Sequence, residues 1–229
     1  MTPHSTELDV KQLRERFDAL RQYIGWTSAD AQRVRAVAPL VSPHLRRYID
    51  DFYREVKRHP ETRQRITGGN EQVERLKGTL HGWLQELFRA DFDDDYVVRR
   101  WAVGWRHVQI GLRQVYVNAA MSRLRAAILS TIWQEFTGSE TERFATSLAI
   151  GRAMDLDLAI IQDAYEAEKH LRSEAAFRSL VESADCAIFI LREDHNIAYL
   201  NPFAQQITGF SLADTTGKDF VETLIPEKD

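Results

Sequence analysis

The chain has 229 residues, of which 44% are hydrophobic and 28% charged, with a formal net charge of −4 and one cysteine. At roughly 100–200 residues per domain this length predicts two domains. The acidic balance removes the broad basic field that nucleic-acid binding requires, and a lone cysteine excludes an internal disulfide or a thiolate metal cluster. The first residues carry charges where an export signal needs its apolar core. The most apolar later stretch, 145–165, contains Arg152, Asp155, Asp157 and Asp163. Neither a signal peptide nor a membrane span is expected, and the chain reads as cytoplasmic. Cys186, beside the apolar run Ala187-Ile188-Phe189-Ile190, is expected to pack.

From Val10 to about Tyr165, apolar residues recur at helical spacing, punctuated by Tyr23 to Thr27, Pro60, Gly68-Gly69-Asn70, Asp91 to Asp95 and Gly138. The pattern predicts helices over 10–21, 28–39, 43–58, 71–89, 94–116, 117–136 and 140–172. Ser28 and Ser139 read as N-caps, the latter with Glu142 in a capping box. In the helix over 43–58, Leu45, Tyr48, Ile49, Phe52 and Val56 share one apolar face, flanked by Tyr53. In the helix over 71–89, Val73, Leu76, Leu80, Trp83 and Leu87 do the same, with Thr79 beside them; alone, this is ordinary core.

Of the seven histidines, His4, His44, His59, His81, His107, His170 and His195, only His107 sits amid a long apolar helix. Gly104 precedes it by three residues and Gly111 follows by four, on the same helical face. Each glycine inside a helix costs about 0.5–1 kcal/mol relative to alanine, so the pair requires a reason. Two are open. A flat, bulky group such as a porphyrin lies on that face with His107 on its iron and Val103, Val108, Ile110 and Leu112 packing nearby, or His107 is a core histidine beside glycines that tighten helix packing.

The helix over 140–172 carries two apolar stripes, one of Met154, Leu158, Ile161 and Tyr165, the other of Leu148, Leu156 and Ile160. One stripe suffices for a core; the second invites a partner helix, unless the helix is central and buried all round. Residues 166–174 are charged and read as a helical linker. Beyond them, Ala187 to Leu191 and Ile197 to Leu200 read as short strands flanking the turn Glu193-Asp194-His195-Asn196, the start of an α/β module.

Several of these segments resemble a known family. They are Tyr23-Ile24-Gly25-Trp26-Thr27, Phe52-Tyr53 with the helix end His59-Pro60-Glu61-Thr62-Arg63, Leu76-Lys77-Gly78-Thr79-Leu80, and above all Val103-Gly104-Trp105-Arg106-His107-Val108-Gln109-Ile110-Gly111-Leu112. Together, over about 10–165, they are similar to the sensor globins of globin-coupled sensors, bacterial proteins that join a haem globin to a signalling output. The resemblance implies an all-α globin-like domain that binds haem b (iron protoporphyrin IX). It makes His107 the proximal iron ligand and Tyr53 the distal donor to bound oxygen, with Phe52, Leu76 and Thr79 in the distal pocket, and it favours the porphyrin reading of Gly104 and Gly111. Val115 before Tyr116 departs from the family's usual aromatic pair. The resemblance further implies oxygen or another diatomic gas as ligand, a homodimer through the last two helices, and a downstream signalling domain or protein.

Residues 175–229 resemble the first half of a PAS domain, most specifically at Asn201-Pro202, Ile207-Thr208-Gly209-Phe210-Ser211 and Gly217-Lys218. The expected organisation is an N-terminal tail (1–9), a sensor globin domain (10–165), a helical linker (166–174) and a truncated α/β PAS-like segment (175–229). The expected function is a haem-based gas sensor that passes its ligand state through dimer helices. The rivals are a haem-free helical interaction module and the regulatory part of a cyclase or histidine kinase. No GGDEF-like run, kinase motif or Gly-rich phosphate loop occurs, so no catalytic residue is expected here.

Overall fold

The computed structural model describes residues 10–224; the expected tail 1–9 lies outside them. In chain order the helices are α1 (Val10–Tyr23), α2 (Ser28–Val41), a 3-10 turn (Ser42–His44), α3 (Leu45–Arg58), the single turn α4 (Pro60–Arg63), α5 (Gly69–Arg89), α6 (Asp94–Gln109), α7 (Gln114–Glu135) and α8 (Glu140–Ser183). Strands β1 (Phe189–Leu191) and β2 (Ile197–Leu200) follow, then α9 (Pro202–Thr208), α10 (Leu212–Thr215) and α11 (Phe220–Leu224). Among the described residues no helix is long and apolar enough to cross a membrane. The chain divides between Glu168 and Lys169, inside α8, into two compact units.

Local chemistry accounts for the helix starts. Thr27, not Ser28, caps α2: its hydroxyl accepts from the Asp30 N–H at 3.2 Å and the Asp30 carboxylate accepts from the Thr27 N–H at 2.9 Å. A capping box needs its acid three residues on, and Asp30 stands at that distance from Thr27 rather than from Ser28. Asp93 caps α6, accepting from the Tyr96 N–H at 2.7 Å. Ser139 accepts from the Glu142 N–H at 3.2 Å at the start of α8.

The expected helix over 94–116 is two helices. Gly111, at φ 68°, donates to the Val108 carbonyl at 2.9 Å and Leu112 donates to the His107 carbonyl at 2.9 Å. These two bonds are a Schellman motif, which ends α6 at Gln109 and frees the chain to begin α7 three residues before 117.

One hydrophobic core runs through the first unit, with Phe17, Val34, Leu45, Leu84, Ile128 and Ile150 fully buried. Met154, Leu156, Ile160 and Ile161 of α8 are all buried in it, leaving Leu148 exposed. Both stripes of α8 are therefore largely consumed inside one domain, because α1, α2, α6 and α7 all reach it. Arg16 pairs with Asp163, Arg152 with Asp30, Trp101 Nε1 donates to Asp163 and Gln162 donates to Asn118. The expectation that Leu156 and Ile160 face a partner helix is thus corrected.

A buried polar knot joins α5, α6 and α8. Arg100 Nε donates to Asp157 Oδ2 at 3.1 Å, Nη1 to Glu86 at 3.0 Å and Nη2 to the Trp83 carbonyl at 2.9 Å, while the Tyr96 hydroxyl donates to the other Asp157 oxygen. Burial pushes the Asp157 carboxyl up to about 6, against the lowering pull of Arg100 and of the Tyr96 hydroxyl.

In the second unit α8 continues to Ser183, past the expected 172, since Leu171, Ala175, Ala176 and Leu180 are strong helix formers. β1 and β2 pair antiparallel, Phe189 opposite Leu200 and Ile190 opposite Tyr199, with the register shifting at Leu191. His195 turns the hairpin at φ 63°. Asn201 organises the unit: its side-chain oxygen accepts from the N–H groups of Ile188 and Ala204, and its Nδ2 donates to the carbonyls of Val181 and Cys186. Cys186 itself is exposed rather than packed.

Candidate functional site

A cavity of about 380 Å³ opens between α3, α5, α6 and α7. Phe52, Tyr53 and Val56 of α3, Leu76, Leu80 and Trp83 of α5, Val103 and Ile110 at α6, and Val117, Met121 and Leu124 of α7 line it, with Ile161 of α8. Its size and largely apolar walls are those of a small-molecule site. His107, Tyr53, Phe52, Leu76 and Thr79, though distant in sequence, all line this one cavity.

His107 stands three residues before the C-cap of α6 and is half-buried. Its Nδ1 is sealed from solvent with no hydrogen-bond partner among the described residues, and burial pushes the imidazole down to about 4. At neutral pH the ring is therefore uncharged, with a nitrogen lone pair available to a metal. Among the described residues no cluster of three or more His, Cys, Asp or Glu is placed to hold a metal ion, so any metal here would bring its other ligands with it.

Tyr53 is buried, and burial pushes its hydroxyl up to about 12, so it remains a proton donor. No side chain or backbone group among the described residues takes that proton in a hydrogen bond. An unpartnered phenol and an unpartnered imidazole on one cavity are the kind of exception that a bound ligand would satisfy. Thr79 lines the cavity, but its hydroxyl donates to the Arg75 carbonyl at 3.2 Å, so its own helix already satisfies it.

The glycines have other work. A Cβ on Gly104 would lie 2.4 Å from the Ile161 carbonyl oxygen and 2.9 Å from Ala164 Cβ, so this glycine lets α6 and α8 touch backbone to backbone. Gly111 supplies the left-handed turn that ends α6, where a Cβ would lie 3.2 Å from Arg65 Nη1. Neither is among the residues lining the cavity. The reading of both as porphyrin clearance is corrected, and for Gly104 tight helix packing holds.

The sequence expectation named neither Gln72 nor Arg75, although helical spacing from Leu76 and Thr79 places them on the same face of α5 as Trp83. Arg65, Met121 and Leu124 line the cavity with no local signal in the sequence, whereas Arg106 and Tyr116 stand within and just after the family-like segment around His107. Trp83 Nε1 is buried and, among the described residues, without a partner, like His107 Nδ1.

Residues 13–170 match the Protoglobin family and residues 175–229 match the PAS fold. The chain is similar to the heme-based aerotactic transducer HemAT of Halobacterium salinarum, with 24% identity over 148 residues, which are 62% of this chain and 30% of the transducer. It thus spans less than a third of that relative. Among solved structures, the globin domain of the Geobacter sulfurreducens globin-coupled sensor is 28% identical with a TM-score of 0.61, covering 65% of this chain and 96% of the other. The E. coli DosC globin domain is 15% identical in its ferrous and ferric forms, with TM-scores of 0.52 and 0.53, covering 66% of this chain and 97% and 99% of the others, a likeness of fold. The chain belongs to the protoglobin family and carries, in the order of a globin-coupled sensor, a protoglobin domain followed by a PAS-fold segment.

Proposed function

We propose that this chain is a haem-based gas sensor whose cavity holds iron protoporphyrin IX with His107 as the protein ligand to iron. The observation that carries the reading is the pairing, on one largely apolar cavity, of a neutral unpartnered imidazole with an unpartnered phenol hydroxyl. The residues present fit the group, which needs apolar walls, one axial nitrogen and little else from the protein. When bound, haem supplies an iron centre that takes a diatomic gas such as oxygen. The Halobacterium relative, named for haem and for aerotaxis, supports the same reading.

Tyr53 is the residue that distinguishes gases. Its hydroxyl stays protonated and donates to a ligand atom that carries negative charge. Such a charge-assisted hydrogen bond contributes about 1.5–3 kcal/mol, or roughly 10- to 100-fold in affinity, and favours polar oxygen over carbon monoxide. Phe52 and Leu76 exclude water beside it, which strengthens the bond. Thr79 contributes only if its hydroxyl leaves the Arg75 carbonyl.

The chain's own bonds suggest how α8 follows α6. The His107 carbonyl accepts from the Leu112 N–H at 2.9 Å, and the Leu112 carbonyl accepts from the Tyr165 hydroxyl of α8 at 2.9 Å. With the Gly104–Ile161 contact, α8 is held to α6 on both sides of His107, so a shift of α6 is passed to α8 rather than absorbed. A homodimer is part of this proposal, now resting on different residues. Val115, Ala119, Ser122, Ala126 and Trp133 are exposed on α7 at near-heptad spacing, and Phe144 and Leu148 on α8. Arg143 stacks on Trp133 at 4.5 Å, which brings the start of α8 to the end of α7. A second copy related by a two-fold axis covers such a face with itself. The signal then passes to a downstream signalling domain or protein.

The absorption spectrum of the purified chain tests the reading. A strong haem band is expected, with His107→Ala losing the histidine-ligated form; an unchanged spectrum in that variant refutes the assignment.

A further inference from the structure

The polar residues of the cavity are not spread evenly. The α7 and α8 side is Val117, Ala120, Met121, Leu124 and Ile161 with Tyr116 as its one polar member, and it carries no charge, whereas Thr62, Arg65, Gln72 and Arg75 come from the α4–α5 stretch. Gln72 and Arg75 also line an adjoining crevice with Thr67, Gly68 and Glu71, so these two residues lie where the two hollows meet. Three arginines, Arg65, Arg75 and Arg106, line the cavity, and among the described residues no Asp or Glu does.

Among the described residues none of the three pairs with a carboxylate. Most arginines of this domain pair with a carboxylate, as Arg100 does with Asp157 and Arg123 with Asp51. Among the described residues Arg106 instead donates to the Gln109 amide oxygen alone, at 3.1 Å, and Arg65 Nε is buried with no partner. Arg65 is nonetheless held in place: its Nη1 lies against the C-terminal turn of α6 at Gly111, where the helix dipole favours a cation. A side chain at Gly111 would displace it.

A flat apolar molecule with carboxylates along one edge matches this arrangement. We propose that Arg65, Arg75 and Arg106 form a carboxylate-binding rim that takes the two propionates of the porphyrin and so fixes which edge enters the cavity. This rests on the haem reading above. The guanidiniums suit carboxylates because their paired N–H groups match the two oxygens.

The test uses the full chain, stripped of haem and reloaded with either haem or its dimethyl ester, which lacks the two charges. Release to excess apomyoglobin is timed for each. The wild-type chain is expected to release the ester about tenfold faster than haem. In Arg65→Met/Arg75→Met the two are expected to leave at similar rates, with the ester's rate unchanged from wild type, which also shows that the variant folds. If the variant keeps the wild-type ratio, the rim is wrong while the haem reading stands. If the wild-type chain takes up neither porphyrin, the haem reading itself falls. Should the double variant not fold, Arg75→Met at its exposed position is expected to narrow the ratio, and an unchanged ratio overturns the proposal.

Discussion

Replacing Asp157 by leucine strands Arg100 at a site where its side chain is only 3% exposed. The guanidinium keeps Glu86 at 3.0 Å and the Trp83 carbonyl at 2.9 Å, but its fully buried counter-charge is gone and the Tyr96 hydroxyl loses its acceptor. Breaking a buried pair from one side costs about 3–5 kcal/mol, and the two surviving bonds place this case toward the lower end. The triple variant Tyr96→Phe/Arg100→Met/Asp157→Leu removes every orphaned group and is expected to recover most of that loss. Urea unfolding at pH 7, followed by tryptophan fluorescence, measures both. Burial raises the folded carboxyl to about 6 from 3.8, so between those values the folded chain binds a proton that the unfolded chain does not. The wild-type advantage over the single variant therefore grows as pH falls from 6 towards 3.8. A single variant within about 0.5 kcal/mol of wild type, smaller than any buried-pair loss, refutes the reasoning. So does a triple variant no more stable than the single.

Gly104→Ala gains about 1 kcal/mol of helix propensity, yet is expected to destabilise the chain by about 1–3 kcal/mol, because its Cβ meets backbone at 2.4 Å; thermal unfolding that shows stabilisation contradicts the α6–α8 contact. Tyr53→Phe is expected to speed oxygen release roughly 10- to 100-fold while sparing carbon monoxide, and equal effects in stopped-flow measurements on both gases remove the donor role. In the haem-free chain, burial lowers His107 from 6.5 to about 4, so the unfolded state binds the proton first and stability falls as pH drops through that window. The loss amounts to about 3 kcal/mol and is absent from His107→Leu; parallel pH profiles argue against a buried neutral imidazole. Tyr165→Phe cuts the bond to the Leu112 carbonyl and is expected to abolish gas-dependent changes in hydrogen exchange along α8 while leaving the haem spectrum intact. Unchanged exchange differences rule out that route.

Much of this protein is written locally. Hydrophobic spacing located most helices of the first unit, and short-range polar chemistry placed the cap at Ser139, because a cap needs only residues within one turn. His107 and Tyr53 were legible from their resemblance to a family motif, and both line one cavity. What the sequence left open concerns what stands opposite a given face. Periodicity reports the direction in which a side chain points, not what it meets, so Leu156 and Ile160 looked like a second interface until four helices closed around them. Gly104 and Gly111 looked alike in sequence. Tertiary structure separates them into a helix crossing and a left-handed helix end, since only the approach of Ile161 decides the first and only the backbone angle decides the second. The same holds for Arg65, which reaches the cavity from a segment 42 residues before His107. Its charge is ordinary in the sequence and acquires meaning only from the absence of a carboxylate among the residues packed around the cavity.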